Sequence, residues 1–157
     1  MIDWQLQLRI QQLQTRYVQT IDDDRLEEWP PLFTADGRYT ITTRENHRGK
    51  LPLALYSCEG RGMLQDRVTG YRRINVYEPH CYRHQISALE VEPAAAGGWN
   101  CRSNFLVVRT LQLGAMSVFA TGCYLDRIVE EAGALRFAER LVVTDSRQTD
   151  TLLVIPL

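Results

Sequence analysis

The chain has 157 residues, a formal net charge of -1 and four cysteines, and its length is that of one domain. A chain of this length buries roughly 68–70% of its unfolded surface, so it needs no disulfide or metal ion to hold its core. The nearly neutral charge argues against a nucleic-acid-binding protein, which usually carries a basic excess. No apolar run reaches the roughly 18 residues of a membrane span, and the first residues lack a secretory-signal pattern. We therefore expect one cytoplasmic domain over residues 1–157, with free thiols.

The N-terminal part of the chain is predicted to be helical. Apolar residues recur at spacings of three and four between Leu6 and Ile21, which predicts an amphipathic helix over residues 3–21. The aspartate triplet at 22–24 stops this helix and offers an N-cap to a short second helix, which the proline pair at 30–31 ends. Three adjacent aspartates at such a turn indicate a capped, solvated junction more strongly than a cation site.

The middle of the chain combines strands, a loop and a third helix. Strands are predicted over residues 38–43 and 81–92, a loop over 44–58 and a helix over 60–74. One side of this helix is apolar, whereas the other carries arginines, and a tyrosine follows it. Arginine and tyrosine are enriched at protein interfaces, although most arginine faces on helices are simply solvated. The candidate interface residues are Arg67, Arg72, Arg73 and Tyr77.

Three long strand patterns follow one another in the last third of the chain. They cover Trp99–Leu111, 116–129 and 135–145, with breaks at Gly114 and Gly133. Alternating apolar and polar residues are typical of a strand with one buried face and one wet face. The short connections favour antiparallel pairing. Helices followed by such strands predict an α+β domain, in which a curved, mostly antiparallel sheet wraps the helices as a cone.

The histidines and cysteines do not form a metal-ligand pattern. His80 and His84 are four residues apart in a strand pattern, where they would stand about 13 Å apart. Cys81-x2-His84 matches half of a Rieske ligand set, but the other half, Cys-x-His, is missing. The chain also lacks glycine-rich phosphate loops and the G-x-S-x-G nucleophile motif. We therefore expect no metal, no cofactor and no catalytic centre on this chain.

One enzymatic alternative stays open, which is acid–base chemistry inside the cone. A base within hydrogen-bond reach of a substrate, with a pKa tuned by burial, would suffice. Each candidate also has a structural interpretation, such as a helix cap, a strand hydrogen bond or a half-buried ring. The candidate cavity residues are Tyr17, Asp24, His84 and Asn104.

The last residues of the sequence are strongly apolar. Such a segment does not stay in water without cost, so we expect it to dock either on this domain or on a partner. We include its apolar residues in the candidate partner surface. These are Leu152, Leu153, Ile155 and Leu157.

Short motifs occur in a definite order and spacing along nearly the whole chain. They are 17–22, Trp29-Pro30, 32–34, Asp36, Tyr39, 63–67, 75–78, 82–84, 105–109, 122–126, 135–140, Asp145-Ser146 and 149–152. Together they resemble the small (β) subunit of bacterial Rieske non-haem iron ring-hydroxylating oxygenases. The region around His47, the Asp145-Ser146 pair and Pro156-Leu157 are most similar to members that act on aromatic carboxylates such as terephthalate, anthranilate and salicylate.

The resemblance implies a cystatin-like cone, as in nuclear transport factor 2, and a structural role without catalysis on this chain. In that family a trimer of small subunits supports three large subunits as a hetero-hexamer. The large subunit is then expected to carry the Rieske [2Fe–2S] cluster and the mononuclear Fe(II). A ferredoxin and a reductase would supply electrons to the complex.

Two other functions remain as hypotheses, because one fold hosts many activities. The first is a stand-alone lyase or isomerase of the same fold that uses His84 and Asp24. The second is a small-molecule-binding or scaffold protein without an oxygenase partner. The sequence does not identify the aromatic acid. Within the implied class, salicylate is the member that we favour.

Overall fold

The computed structural model describes residues 3–74, 77–148, 153 and 155–157. Within these ranges the chain forms three α-helices, two short 3-10 turns and a sheet of six strands. The helices are α1 (Trp4–Asp22), α2 (Arg44–Arg48) and α3 (Arg61–Arg73), and the 3-10 turns are Leu26–Glu28 and Pro30–Leu32. The strands are β1 (Phe33–Thr43), β2 (Tyr56–Glu59), β3 (His80–Pro93), β4 (Trp99–Leu111), β5 (Met116–Glu131) and β6 (Ala134–Thr144).

The sheet is open, with the strand order β2-β1-β6-β5-β4-β3. Four of its five pairings are antiparallel, and only β1 and β6 run parallel. The long strands β3 to β6 form an antiparallel meander because each connection between them is short, as the sequence predicts. Helices α1 and α3 contact the sheet on one face, so the predicted α+β cone is confirmed.

Helix α1 lies on the inner face of the sheet because one side of it is apolar. The side chain of Asp3 caps its first turn by accepting a hydrogen bond from the Gln5 N–H at 2.7 Å. Ile10, Leu13 and Tyr17 are buried on the side that faces the strands. The helix predicted over residues 3–21 is therefore confirmed within one residue at each end. No helix among the described residues is long and apolar enough to cross a membrane.

The prediction of a loop over 44–58 is wrong at both ends of that range and correct only in its middle. The range contains α2 and most of β2, which are five and four residues long. Elements this short show no hydrophobic period, so their stability comes from neighbours. Thr43 caps α2 through a hydrogen bond from the Asn46 N–H, and β2 pairs with β1.

Two boundaries near the prolines also differ from the prediction. Strand β1 begins at Phe33 rather than at residue 38. Pro30 does not end helical structure, because a second 3-10 turn begins there. Proline is well suited to the first position of a helical turn, where its missing N–H would have no partner anyway.

The apolar end of the chain docks on this domain, which decides between the two predicted alternatives. Ile155 and Leu157 are buried in the core. The hydroxyl of Tyr17 donates to the Leu157 carbonyl oxygen at 2.6 Å, and the hydroxyl of Tyr39 accepts from the Leu157 N–H at 2.9 Å. Ile155 and Leu157 are therefore core residues rather than an exposed partner surface. Leu153 is half-buried, and Leu152 lies outside the described residues.

Candidate functional site

The interior of the cone contains a hydrogen-bonded aspartate–histidine pair. Asp22 is the last residue of α1, and His84 lies on the inner face of β3. One carboxylate oxygen of Asp22 lies 2.6 Å from His84 Nδ1, and the other accepts from the His84 backbone N–H at 2.8 Å. The two side chains are 4% and 0% exposed. Nε2 of His84 is buried and has no hydrogen-bond partner among the described residues.

The four candidate cavity residues do not come together. His84 and Tyr17 are inside the cone, but Asn104 is exposed on the outer face of β4. Asp24 lies at the surface, where Arg72 donates to its carboxylate at 2.7 Å. The acidic partner of His84 is Asp22, so the pairing of His84 with Asp24 is corrected.

A sequence signal for Asp22 exists in α1. Gln14, Val18 and Asp22 recur every four residues, so they lie in one row along the helix. Gln14 is buried and Val18 is half-buried, which places this row against the sheet. A polar residue in such a row indicates a buried hydrogen-bond partner on another element.

A second polar cluster, around Arg140, fills the middle of the core. Arg140 is fully buried, and its guanidinium donates to both carboxylate oxygens of Asp126, at 2.8 and 2.7 Å. Gln14 donates to Asp126 at 2.7 Å and accepts from Arg140. The guanidinium carbon lies 4.0, 4.1 and 4.2 Å from the ring centroids of three aromatic residues. These rings belong to Tyr17, Tyr124 and Phe137.

The buried tyrosines stay protonated because burial disfavours the phenolate. Burial raises the pKa of Tyr17, and it raises the pKa values of Tyr39 and Tyr124 well above the usual value. The nearby Arg140 charge partly opposes this rise in the pKa of Tyr17. With its proton retained and donated to Leu157, the Tyr17 hydroxyl acts here as a structural hydrogen-bond donor.

Clefts on the surface lie away from the aspartate–histidine pair. A groove of about 260 Å³ runs between α1 and β3, and its wall includes Val18 and Ile86. Clefts of about 420 and 590 Å³ lie on the outer face of the sheet. Neither Asp22 nor His84 lines any of these three clefts.

The donor atoms of the described residues do not fit a metal centre. No group of three histidine, cysteine, aspartate or glutamate side chains in the described ranges is close enough to hold an ion. In the half-Rieske motif, Cys81 is exposed whereas His84 is buried and bonded to Asp22. The two side chains therefore lie on opposite faces of β3 and cannot bind the same metal ion.

The arginine side of α3 is largely occupied within the chain. Arg67 donates to the Leu153 carbonyl oxygen and lies over the ring of Tyr56. Arg72 bridges Asp24 and Glu27. Among the candidate interface residues, Arg73 is exposed and has no ion-pair partner in the described part of the chain.

Tyr77, the remaining candidate interface residue, is half-buried. Its ring stacks on Tyr71, with the centroids 5.0 Å apart. The end of α3 is thus held by this stack rather than presenting a free aromatic ring.

An exposed apolar tip, which the sequence patterns do not predict, lies at the turn between β4 and β5. The exposed fractions of Leu113, Met116 and Val118 are 96%, 73% and 65%. Isolated exposed apolar residues are ordinary, but a group of them on one hairpin indicates a contact surface. The only signal in the sequence was an apolar residue inside a turn.

Comparison with known proteins places the chain in a family. The SnoaL-like domain model matches residues 5–141. The small subunit of anthranilate 1,2-dioxygenase from Burkholderia cepacia is 37% identical over 155 residues, covering 99% of this chain and 96% of the relative. The chain belongs to the family of aromatic-ring dioxygenase small subunits.

Two further comparisons agree with this small-subunit family. Beta subunit 2 of the terminal oxygenase component of terephthalate 1,2-dioxygenase from Comamonas sp. is 36% identical over 151 residues, covering 96% of this chain and 98% of the relative. A solved beta-subunit structure from Novosphingobium aromaticivorans, assigned to an aromatic-ring-hydroxylating dioxygenase, is 32% identical. It covers 97% of each chain with a TM-score of 0.88. The resemblance read from the sequence motifs is confirmed.

Proposed function

We propose that this small subunit is a non-catalytic, structural component of an oxygenase that hydroxylates aromatic carboxylates. It forms a trimeric base that supports three iron-bearing large subunits, and a ferredoxin and a reductase deliver electrons to the complex. The observation that carries the proposal is the 37% identity with an anthranilate dioxygenase small subunit over 99% of this chain. Relatives named for anthranilate and terephthalate favour an aromatic acid as the substrate, and salicylate belongs to the same class.

The filled interior supports a structural role. Fold relatives with an internal active site need an open cavity for a substrate. Here the buried Arg140 guanidinium and its three surrounding rings occupy the middle of the core. Two tyrosine hydroxyls hold Leu157 in the same core. This packing stabilises the subunit and leaves the redox chemistry to the [2Fe–2S] cluster and Fe(II) expected on the large subunit.

The exposed hairpin tip is the better candidate for the contact with the large subunit. Arg67, Arg72 and Tyr77 already have partners within the chain. The hairpin tip, defined as Leu113, Met116 and Val118, exposes apolar surface that association would bury. Burying apolar area gives roughly 25 cal/mol per Å². Arg73 remains a candidate for a charged contact at the rim.

Affinity purification of the tagged chain, co-expressed with its large subunit, tests the assembly. We expect a brown eluate with the absorption of an iron–sulfur protein and equal amounts of the two subunits. A colourless homo-oligomer from a host that contains the large subunit would contradict the proposal. It would favour the scaffold hypothesis instead.

Two substitutions in the hairpin tip test the proposed contact. Leu113→Ser combined with Met116→Ser should lower the yield of large subunit in the eluate, because apolar contact area is lost. The matched control is Trp4→Ser, which changes a residue that is 71% exposed on α1. Equal yields for the tip variant and the control would remove the tip from the interface.

A second candidate function is a lyase or isomerase that uses the aspartate–histidine pair. It is favoured by one observation: beside the Asp22 carboxylate, the buried Nε2 of His84 has no hydrogen-bond partner in the part of the chain that the structure describes. Such a pair can move a proton when a substrate reaches it. The test is turnover by the pure, iron-free chain. Full pathway activity in a host that carries His84→Ala would exclude this function.

A further inference from the structure

A polar cleft of about 590 Å³ lies on the outer face of the sheet, under the short helix α2. Arginines stand on both of its sides. Arg44 and Arg48 come from α2, and Arg102 projects from β4. Among the described residues of the lining, Asp145, just after β6, is the one acidic residue, so three arginines face one carboxylate there. The cleft is therefore positively charged, although the whole chain is not.

The carboxylate of Asp145 is fully used within the chain. One of its oxygens accepts a hydrogen bond from the Thr121 hydroxyl at 2.8 Å, and the other accepts from Arg44. Asp145 thus offsets the charge of Arg44. Arg48 and Arg102 are exposed, and neither forms a hydrogen bond or ion pair within the described part of the chain. Two guanidinium groups on opposite sides of the cleft are left for an anion.

Part of the floor of the cleft is apolar. Leu125 and Cys123 of β5 are half-buried, and Leu125 stands beside Arg102 in the strand register. All of these residues line the cleft. A bound molecule would therefore meet charge at the sides and apolar surface below. A volume of this size falls within the roughly 300–1,000 Å³ of small-molecule sites.

We propose that this cleft binds a small organic carboxylate. The carboxylate lies between Arg48 and Arg102, and the apolar body of the ligand packs on Leu125 and Cys123. The planar guanidinium fork matches the two oxygens of a carboxylate. The apolar floor favours an organic acid over an inorganic anion, because only the former buries apolar area there. This site is separate from the core and does not depend on the proposed assembly role.

Binding should be weak and sensitive to salt. Both arginines are exposed, and interactions between exposed charges are screened over about 8 Å at physiological ionic strength. The site would thus respond to the concentration of an acid rather than hold it tightly. It would be a subsite in addition to any site on the large subunit.

The test uses benzoate as the probe and benzamide as its uncharged analogue. Binding is measured by calorimetry on the full chain and on the complex with the large subunit. We expect saturable binding of benzoate and none of benzamide. Arg48→Gln and Arg102→Gln should each weaken benzoate binding about tenfold, since a charge-assisted hydrogen bond is lost. The control is Arg16→Gln, which removes an exposed charge from α1 and should leave binding unchanged.

Three results would overturn the proposal. The first is no saturable benzoate binding to the folded chain. The second is equal weakening by Arg16→Gln, which would indicate a general charge effect. The third is binding to the isolated chain that disappears in the complex, which would identify the cleft as a subunit contact. The first two results do not bear on whether the large subunit associates, so the assembly proposal is tested separately.

Discussion

The carboxylate of Asp22 joins His84 through both of its oxygens, one 2.6 Å from the ring Nδ1 and one 2.8 Å from the backbone nitrogen. These residues are 62 positions apart. The pair therefore fixes the end of α1 to β3, one of the two edge strands of the sheet. Because both side chains are almost fully buried, water cannot replace the lost partner if either one is removed.

Asp22→Ala should lower the free energy of unfolding by about 1–3 kcal/mol, since it leaves two buried donors without an acceptor. Urea denaturation of the purified chain measures this loss. The control is Asp23→Ala, whose side chain is 52% exposed and 3.6 Å from Arg25. That change should cost less than about 1 kcal/mol. Equal effects for the two substitutions would mean that the buried hydrogen bonds contribute little.

Removing either member of the buried Arg140–Asp126 pair should destabilise the chain strongly. Asp126→Leu leaves the guanidinium without a counter-charge and should cost about 3–5 kcal/mol. Arg140→Met should cost a similar amount because it leaves the buried Asp126 carboxylate without a counter-charge. The double variant should recover part of the loss, since both buried charges are then gone.

A double-mutant cycle in urea gives the coupling energy of this pair. Arg38→Met and Glu139→Leu form the matched control cycle, because that pair is joined at 3.1 Å but is 57% and 38% exposed. Its coupling should be below about 1 kcal/mol. Additive effects at Arg140 and Asp126 would contradict the buried pair.

Stability should fall at alkaline pH because buried tyrosines, among them Tyr17, Tyr39 and Tyr124, resist ionisation. Burial raises the pKa values of Tyr17, Tyr39 and Tyr124. Above about pH 10 the unfolded chain loses these phenolic protons while the folded chain keeps them. The stabilisation is thus complete below that pH and declines above it, by up to about 1.4 kcal/mol per pH unit for each tyrosine.

Urea denaturation at a series of pH values from about 9 to 11 measures the decline. Tyr39→Phe should make the decline shallower, because the variant has no phenolic proton at this position to lose on unfolding. It should also lower stability at neutral pH by roughly 1 kcal/mol, through loss of its hydrogen bonds with Leu157. A decline of the same slope in this variant would show that Tyr39 ionises normally in the folded chain.

Gly122 is required by the close approach of β5 to its neighbours. A Cβ at this position would lie 2.0 Å from the Val143 carbonyl oxygen and 3.0 Å from the Phe105 ring. Gly122→Ala should therefore cost about 1–3 kcal/mol or more, as overpacking does. Thermal unfolding checks this expectation.

Gly70→Ala in α3 is the matched control, because a Cβ there meets nothing within 4 Å. It should stabilise the chain by about 0.5–1 kcal/mol through helix propensity. If Gly122→Ala melted at the same temperature as the unchanged chain, the predicted clash would be absent.

The sequence by itself determined the long elements and the family. The apolar face of α1 and the alternation along Trp99–Leu111 are local patterns, and each is repeated often enough to define a helix or strand. The family followed from the order and spacing of motifs along the chain, and 37% identity with a known small subunit supports it. The short elements α2 and β2 were not predicted, because four or five residues are too few to show a hydrophobic period.

Only the tertiary structure decided which polar residues meet. Asp22 rather than Asp24 pairs with His84, because Asp22 ends α1 on its inner side whereas Asp24 lies past the helix at the surface. Nothing in the local sequence distinguishes Arg140 from an exposed arginine on a strand, yet it is buried beside Asp126. Such partners are distant in sequence, and their meeting depends on strand register and helix placement. Local patterns indicate which face of an element is buried, but the assembled fold determines what each buried side chain contacts.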